Sequence, residues 1–289
     1  MQDDSDYTIY PIFINSSGLQ RDSYNNRYSY TFPAGSVNFK KSKVAVANIG
    51  IYYSWFNITT VNNNNTFSIV WPTNVGSTTY NITLPDGFYD VSQLNSYLQQ
   101  WSITNGLYLV DASGNYVYYV ELIENPTYYS VQYISYPVPT ALPAGYTNPA
   151  GMTFPAVAST PQIVIAASPS AFKDVIGFNN GTFPAAFQAT TYSKLSDYTP
   201  QVSPIQSLVL SCELVNNKYS IPQSIIYTFS PAGTSFGSLI QSVPNEYFFV
   251  DIAEGNYNTF NIQFLDQNYN KVFIRDTNII VQLLIKTKL

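Results

Sequence analysis

The sequence predicts an all-β sandwich, and three observations support this fold class. Apolar and polar residues alternate along much of the chain, with many β-branched and aromatic residues, as is typical of half-buried strands. Proline, glycine and asparagine interrupt this pattern at short intervals, where turns between strands need them. Hydrophobic residues make up 45% of the 289 residues and aromatic residues 16%, which is ample material for a large core.

The predicted strands share this alternation or β-branched and aromatic enrichment. In chain order they are Tyr7 to Ile14, Tyr28 to Phe32, Lys43 to Ile58, Thr66 to Trp71, Thr79 to Leu84, Leu107 to Val110, Tyr116 to Ile123, Tyr128 to Tyr136, Gln162 to Ala166, Ser207 to Leu214, Ser224 to Phe229, Tyr247 to Ile252, Phe260 to Leu265, Val272 to Ile274 and Ile279 to Lys286. We expect the long third strand to bend at Gly50, because a glycine within a strand often marks a bulge or corner.

One clear helix is predicted over Val91 to Ser102. Asp90 is the expected N-cap, and Gln93, three residues later, is the expected capping-box partner. An apolar stripe at helical spacing follows, formed by Leu94, Tyr97, Leu98 and Trp101. The pair Asn105-Gly106 then supplies a stop signal, so this helix should end there and lie against a sheet.

A second, short helix is predicted from Ser170 to Ile176. Ser170 is the expected cap, because its hydroxyl can accept a hydrogen bond from a free backbone N–H of the first turn. Gly177 is expected to end this helix, because glycine adopts the left-handed conformation at no steric cost.

The predicted organisation is an N-terminal arm and first strand over residues 1–26, followed by one domain over residues 27–289. From Pro137 to Pro161 the chain is rich in Pro, Ala, Gly and Thr, without strong periodicity. A loop of this length within a compact domain tends to be functional, inserted or mobile. Strand-like segments of the same composition continue on both sides, so we interpret it as an excursion from the sandwich rather than a linker.

The charge composition excludes several classes of function. The chain has 12 Lys+Arg, 17 Asp+Glu and no His, with a formal net charge of -5. Mechanisms that need an imidazole, such as a Ser-His-Asp triad or a His-ligated zinc, are excluded. A chain this poor in Lys and Arg lacks the charge to neutralise a run of phosphates, so no nucleic-acid partner is expected.

Neither export nor membrane insertion is expected. The first residues lack the basic and then apolar character of a secretory signal, and no apolar run reaches the ~18 residues that span a bilayer. The single cysteine, Cys212, also favours synthesis in a reducing compartment. We therefore interpret the glycosylation sequons as unmodified; they start at Asn15, Asn57, Asn64, Asn81 and Asn180.

One spacing resembles the opening of a calcium loop. Asp266, Asn268 and Asn270 alternate as the oxygen ligands of such a loop do. The continuation fails, because Lys271 stands where glycine is needed and Thr277 stands where a bidentate glutamate is needed. A polar hairpin explains the same residues, so no metal site is predicted.

Two pairs of carboxylates were weighed as acid–base catalysts. Glu121 with Glu124, and Asp251 with Glu254, are close in sequence. A spacing of three residues in a strand points the two side chains to opposite faces, so neither pair is expected to converge. No catalytic residue is predicted and the protein is not expected to be an enzyme; an acid–base hydrolase is an alternative that rests only on scattered carboxylates.

The thiol and the one basic cluster have structural interpretations. Cys212 lies in a strand-like run, and we expect a buried, inert thiol because no His, nearby Lys or nearby Arg is available to lower its pKa. Lys40, Lys41 and Lys43 precede or begin a strand, where we interpret them as discouraging edge-to-edge pairing. Neither GxGxxG nor GxxxxGK[ST] occurs, so no phosphate-binding cofactor is expected.

Three aromatic runs could stack on sugars or bases. They are Tyr52 to Phe56, Tyr116 to Tyr119 and Tyr247 to Phe249. In strands, alternate positions more simply fill a core on one face and meet a neighbouring subunit on the other. We therefore interpret these runs as core and interface.

Four stretches, spread in order along the chain, carry a resemblance to a known family. They are Val44 to Ile49 with Tyr53 to Ile58 and Asn65 to Phe67; Ile82 to Trp101 with Asn105 to Leu109; Phe172 to Phe178 with Gly181 to Pro184; and Asn245 to Lys286. Together they resemble the penton proteins, also called vertex or minor capsid proteins, of virophages and Polinton-like viruses. Each stretch is a packing or turn pattern and not a catalytic signature.

The resemblance implies a single jelly-roll β-sandwich of two four-stranded antiparallel sheets, with long loops or an inserted subdomain and one or two short helices. It also implies a homopentamer at icosahedral vertices beside the major capsid protein, located in the virion and assembled in the host cytoplasm. We expect residues 1–26 and Lys286 to Leu289 to contact adjacent capsomers, because terminal arms are free to order on assembly. The alternative is a jelly-roll receptor- or glycan-binding module on a virion surface, in contact with the host.

Overall fold

The computed structural model describes residues 7–166 and 170–288, and strands dominate these ranges. The strands are β1 (Tyr7–Asn15), β2 (Gln20–Arg21), β3 (Arg27–Thr31), β4 (Val37–Phe39), β5 (Lys43–Tyr52), β6 (Thr66–Thr73), β7 (Gly76–Thr83), β8 (Leu109–Val110), β9 (Tyr116–Val117), β10 (Val120–Asn125), β11 (Ser130–Ser135), β12 (Gln162–Ile165), β13 (Gly181–Phe183), β14 (Tyr192–Leu195), β15 (Leu208–Cys212), β16 (Ile225–Phe229), β17 (Leu239–Ser242), β18 (Val250–Asp251), β19 (Gly255–Tyr257), β20 (Thr259–Asp266) and β21 (Ile279–Lys288). The helices are α1 (Val91–Thr104), α2 (Phe172–Ile176) and a 3-10 turn at Ser16–Gly18.

The chain divides into two compact units. The first combines the residues up to Trp55 with those from Ile205 onward, and the second is Phe56–Pro204. The second unit is therefore inserted, in sequence, between β5 and β15 of the first. The predicted division into an arm over residues 1–26 and a single domain over 27–289 stays a prediction.

The first unit contains two antiparallel sheets. Sheet A has the strand order β1-β21-β5-β17, with β18 also paired to β5. Sheet B has the order β16-β15-β20-β3-β2. The short strands β4 and β19 form a separate pair.

The strand order of these two sheets is that of a jelly roll. Without the short strands, the first unit has eight strands in chain order, β1, β3, β5, β15, β16, β17, β20 and β21. They pair from the ends inward: first with last, second with seventh, third with sixth and fourth with fifth. Pairing of β21 with β5 and of β20 with β15 completes the two sheets. Such an antiparallel ribbon rolled into two sheets is the jelly-roll architecture, and it confirms the predicted fold class.

Alternation places the core of the first unit between its sheets. On β21, Ile279, Val281 and Leu283 are buried, while the intervening Ile280 is exposed. On β20, alternate residues from Phe260 to Phe264 are buried in the same way. Each strand therefore presents one apolar row inward, and the opposite row forms an outer face.

The second unit has a core of its own. Sheets β13-β12-β6-β7 and β10-β11-β14, both helices and the hairpin β8–β9 belong to it. Leu94 and Leu98 of α1 are buried in one cluster with Phe67 and Phe172, whose rings stack with centroids 4.5 Å apart. A core independent of the first unit is the mark of an inserted subdomain.

The excursion from Pro137 to Pro161 lies on the core of the second unit. Val138 is fully buried in a cluster with Trp71 and Leu109, and Met152 and Phe154 pack against it. Isolated β-bridges join Val138 to Ser159 and Val110 to Thr147. The segment is thus a packed excursion.

Helix α1 confirms the predicted capping box. The backbone N–H of Gln93 donates to the Asp90 side chain at 2.7 Å, and the backbone N–H of Asp90 donates to the Gln93 side chain at 2.9 Å. The helix ends at Thr104, two residues beyond the prediction, and Gly106 follows with a φ of +67°.

Helix α2 is also found, but it begins at Phe172 rather than Ser170. Ser170 still serves the helix start, because its hydroxyl accepts a hydrogen bond from the Phe172 N–H at 3.2 Å. Gly177 ends the helix as predicted, in the left-handed conformation with a φ of +75°.

The third predicted strand was too long. It ends at Tyr52, because the next backbone groups pair elsewhere: the Tyr53 N–H donates to the Ser238 carbonyl, and Ile58 forms an isolated bridge with Gly87. The irregularity in this strand lies at Ala47 and not at Gly50, because the register with β21 skips Ala47.

Other differences involve short strands. The segment from Val272 to Ile274 is not a strand, and the Ile274 N–H instead donates to the Tyr24 carbonyl at 3.0 Å. Several short strands were not predicted from the sequence; they are β2, β4, β13, β14, β17 and β19.

Candidate functional site

Three of the four candidate carboxylates are engaged with other groups of the fold. Glu121 accepts a hydrogen bond from the Tyr136 hydroxyl at 3.0 Å, and Glu124 is an exposed neighbour on β10. Asp251 pairs with Lys43 at 3.5 Å, while Glu254 accepts a hydrogen bond from the Lys41 N–H at 3.2 Å. Each of these contacts is a local structural one.

The calcium-like spacing forms a turn. The Asp266 carboxylate accepts hydrogen bonds from the backbone N–H groups of Asn268 and Asn270, both at 2.8 Å. Both N–H groups donate to the same carboxylate oxygen, Oδ1, which a bound cation would also contact. The spacing of Asp266, Asn268 and Asn270 is therefore explained by an Asx turn. Within residues 7–166 and 170–288, no group of three His, Cys, Asp or Glu residues is placed to hold a metal ion.

Cys212 is a buried free thiol, as predicted. Burial raises its pKa to about 12, because the charged thiolate is poorly solvated inside the sheet. A thiol in this state is protonated at neutral pH and unreactive.

The interpretation of Lys40, Lys41 and Lys43 as protection for a sheet edge is wrong. Lys43 begins β5, which lies inside sheet A between β21 on one side and β17 and β18 on the other. The edges of sheet A are β1, where Pro11 removes one backbone donor, and, on the other side, β17 and β18.

Two of the five sequon asparagines, Asn57 and Asn64, are buried, and their side-chain amides donate hydrogen bonds within the fold. The Asn57 side-chain amide donates to the Tyr89 carbonyl at 2.7 Å, and that of Asn64 donates to the Asn57 carbonyl at 2.8 Å. A glycan at either nitrogen would have to break these bonds.

The aromatic runs divide between core and surface. Tyr53 and Trp55 are buried and their ring centroids lie 4.5 Å apart, whereas Tyr247 and Phe248 are exposed. Tyr119 is buried in the second unit, while Tyr116 in the same run is exposed. The predicted core role therefore holds for alternate members, and the outward members remain available for contacts.

The outer face of sheet A carries exposed apolar side chains on several of its strands. We call it the outer A face; its exposed apolar residues include Ile9, Phe13, Leu239 and Ile280. Phe13 is 65% exposed, although its neighbours Ile12 and Ile14 are buried. The sequence signal for this face is the presence of apolar residues at several outward positions as well as at the inward ones, namely Ile9 and Phe13 in β1 and Ile280 and Leu284 in β21.

A shallow depression lies on the outer A face. It has a volume of about 310 Å³ and is lined by apolar and amide side chains, including Tyr52, Leu239, Gln241, Ile280 and Asn48. Gly50 lies at its centre, between the side chains of Leu239 and Ile280. Because Gly50 has no side chain, the sheet surface is recessed there.

An apolar projection lies elsewhere on the first unit. It is the loop between β15 and β16, whose Tyr219 is fully exposed and whose Ile221 is 89% exposed. The Asn217 N–H donates to the Gln223 carbonyl at 2.9 Å, which closes the loop below these side chains. We call residues 217–223 the EF projection, because they join the fourth and fifth strands of the jelly roll.

Comparisons with known proteins give structural similarity without a sequence family. No protein-family model matches the chain, and no curated protein matches it. A crystal structure of the mavirus penton protein is similar over 98% of this chain and 100% of its own, with 11% identity and a TM-score of 0.49. A chain in the cryo-EM structure of the Sputnik virophage is similar over 98% of both chains, with 13% identity and a TM-score of 0.42. The jelly-roll assignment rests on the strand order of sheets A and B and not on these similarities.

Within the described ranges, no helix is long and apolar enough to span a bilayer.

Proposed function

We propose that this chain is a structural capsid protein, a homopentameric penton that occupies the fivefold vertices of an icosahedral virion. The observation that carries the proposal is the apolar outer A face of a jelly-roll sheet, with Phe13 and Ile280 exposed on it. An exposed apolar sheet face in a protein of this size marks a surface that another protein covers. The motif resemblance to the penton proteins of virophages and Polinton-like viruses supports a place at a vertex.

Fivefold symmetry sets a requirement that the first unit meets. A ring needs a heterologous contact, in which one patch of a subunit binds a different patch of the next subunit. We assign these two roles to the depression around Gly50 and to the EF projection with Tyr219 and Ile221. Each contact in a stable ring is expected to bury more than about 1,000 Å² in total.

The composition also suits a contact of this kind. Only 10% of the residues are charged, and the depression is lined by apolar and amide side chains. Burying such a surface carries little ionic desolvation cost, so the driving force is apolar burial.

The major capsid protein is the second proposed partner. The chain ends are not the free arms that the sequence led us to expect, because residues 7–15 and 279–288 are paired with each other as β1 and β21. Residues 1–6 and Leu289 lie outside the described ranges. We therefore place the contact with the major capsid protein at the edge of β1, whose second side has no strand partner within the described chain.

The location and chemistry follow from this role. The protein acts in the virion and is assembled in the host cytoplasm, and its function is mechanical rather than enzymatic. Electron microscopy of the purified assembly tests the symmetry. We expect class averages with five copies around one axis; averages with twofold or threefold symmetry would contradict the proposal.

A further inference from the structure

Three tyrosine rings form a continuous series on the second unit, at the hairpin β8–β9. The centroids of Tyr108 and Tyr116 are 5.1 Å apart with an interplanar angle of 61°, and those of Tyr116 and Tyr118 are 6.2 Å apart with an angle of 18°. Tyr116 is 53% exposed, and Tyr108 and Tyr118 are half-buried. We call these three residues the tyrosine platform.

The backbone that carries the platform is fixed on both sides. Leu109 and Tyr119 anchor it in the core of the second unit. Val110 exchanges two backbone hydrogen bonds with Thr147, both 2.9 Å long. At the hairpin turn, the Asp111 carboxylate accepts hydrogen bonds from the N–H groups of Ser113 and Asn115, both at 2.8 Å. A ligand that binds here therefore meets rings that are already ordered.

The hydroxyl groups of the tyrosine platform are not needed for hydrogen bonds within the fold. Within the described chain, the hydroxyls of Tyr108, Tyr116 and Tyr118 take part in no hydrogen bond, unlike the buried hydroxyl of Tyr133, which donates to the Pro161 carbonyl. A tyrosine that is half-exposed and unpaired presents both an apolar face and a donor–acceptor group.

The charge composition around the platform favours a neutral ligand over an anionic one. Between Lys43 and Lys173 the sequence contains neither Lys nor Arg. The second unit has two lysines: Lys173 lies on α2, and Lys194 is paired with Asp197 through a charge-assisted hydrogen bond. A phosphate, sulfate or carboxylate group at the platform would therefore find no cationic partner in the chain from residue 44 to residue 172, which contains the hairpin.

We propose that the tyrosine platform is a binding site for a neutral saccharide. A pyranose ring presents a face of C–H groups, which packs on aromatic rings, and a rim of hydroxyls, which can hydrogen-bond with phenol groups. The exposed part of the Tyr116 ring, held in place by its stacking on Tyr118, provides the apolar surface, and the three hydroxyls provide the polar one.

A contact with a neighbouring protein subunit fits these observations less well. Protein interfaces of standard size bury about 800 Å² per partner and have large apolar anchors at their centre. Among residues 105–119, Tyr116 is the one large apolar side chain that is exposed. The proposal goes beyond the capsid role and does not rest on it, because a monomer would carry the same platform.

An array of neutral oligosaccharides tests the site. The probes are chains of glucose, galactose, mannose and N-acetylated hexosamines, read beside sialylated and sulfated glycans. We expect the protein to bind at least one neutral chain and to show no preference for the anionic ones. Silence on all neutral probes, or binding that requires an anionic group, would overturn the proposal.

Variants locate the binding on the platform. We expect Tyr116→Ala to weaken binding at least about tenfold, which corresponds to about 1.4 kcal/mol. Tyr116→Phe keeps the ring and its packing but removes the hydroxyl, so we expect binding between that of the wild type and that of Tyr116→Ala. This variant still tests the site if Tyr116→Ala folds poorly. Tyr128→Ala is the matched control, because Tyr128 is an exposed tyrosine of the same unit outside the ring series; its binding should equal that of the wild type.

The same variants separate sugar binding from subunit contact. We expect Tyr116→Ala to retain the mass of the wild-type assembly while it loses the sugar. If this variant instead loses the assembly and keeps the sugar, the platform is a protein contact and the proposal is wrong. Failure of the pentamer in the wild type would leave sugar binding unaffected, so the two proposals fail separately.

Discussion

Phe13 lies directly opposite Gln282 in the register of β1 and β21, and both side chains belong to the outer A face. The buried neighbours of Phe13, Ile12 and Ile14, hold the strand against the core without it. Phe13 is therefore available for a contact with another protein at little cost to folding.

We predict that Phe13→Asp abolishes assembly while leaving the subunit folded. Substitution of an exposed side chain outside a turn or cap usually changes the free energy of unfolding by less than about 0.5 kcal/mol, whereas a charge within an apolar contact must be desolvated. Size-exclusion chromatography with light scattering measures the assembly, and circular dichroism measures the fold.

Val75→Asp is the control for this prediction, because Val75 is 90% exposed at the turn between β6 and β7 and is not a residue of sheet A. It should assemble like the wild type. If Phe13→Asp also assembles normally, the outer A face is not part of the contact.

Gly177 should tolerate no side chain. It has a φ of +75°, and an added Cβ would overlap the Tyr198 carbonyl oxygen and lie 3.1 Å from the Pro200 nitrogen. The left-handed conformation alone costs alanine about 1–2 kcal/mol, and the overlap adds to it. We predict that Gly177→Ala lowers the free energy of unfolding by more than about 3 kcal/mol, as measured by urea denaturation.

Gly114 provides the matched comparison, because it has a φ of +85° but nothing within 4 Å of an added Cβ. Gly114→Ala should show only the conformational cost. Equal losses in the two variants would mean that the overlap at Gly177 is relieved by movement of the chain around Tyr198.

The capping box at α1 should contribute measurably to stability. Asp90→Ala removes the acceptor for the Gln93 N–H, and loss of an N-cap costs about 0.5–2 kcal/mol. Gln100→Ala, at an exposed position within the same helix, should change stability little. Thermal unfolding of the two variants checks this, and equal melting temperatures would show that the cap is not needed.

Stability should fall at alkaline pH. Burial raises the pKa of Tyr119 and of Cys212 to about 12, from their ordinary values of 10.0 and 9.0. Because both groups must stay protonated in the folded state, their contribution is complete below pH 9 and is lost progressively as the pH rises to 12. Urea denaturation between pH 7 and pH 11 should show this decline.

Tyr119→Phe should reduce that decline, because the variant has no phenol to ionise. Tyr129→Phe, at an exposed tyrosine, should follow the wild type. A wild-type stability that is constant up to pH 11 would contradict the assignment of these groups as buried and protonated.

Elements with strong local signals could be predicted from the sequence. Helix α1 was identified by Asp90 and Gln93 together with the apolar stripe, and strand β21 by its apolar alternation from Ile279. These signals are local, because capping and alternation involve residues within a few positions of each other.

The short strands could not be predicted, because they contain no such local signal. Strand β17 has four residues, of which only Ile240 is buried, so it contains no repeating pattern. It exists because Gln241 and its neighbours pair with β5, almost two hundred positions earlier in the chain. The end of β5 at Tyr52 depends in the same way on distant partners.

The candidate surfaces could be predicted only in part from the sequence. The aromatic runs were visible, but their division into the buried Tyr119 and the exposed Tyr116 depends on which face of the hairpin meets the core. The depression at Gly50 arises from its position between Leu239 and Ile280, which the register of three strands brings together. Gly50 was noted in the sequence for its effect on the backbone, and its more important effect is the missing side chain.

The mass of the purified native protein tests the central claim most directly. Native mass spectrometry over a range of concentrations should give one dominant species at five times the chain mass of 32.3 kDa. A monomer at every concentration, or a closed dimer, trimer or hexamer, would contradict the proposal that this jelly roll forms a vertex.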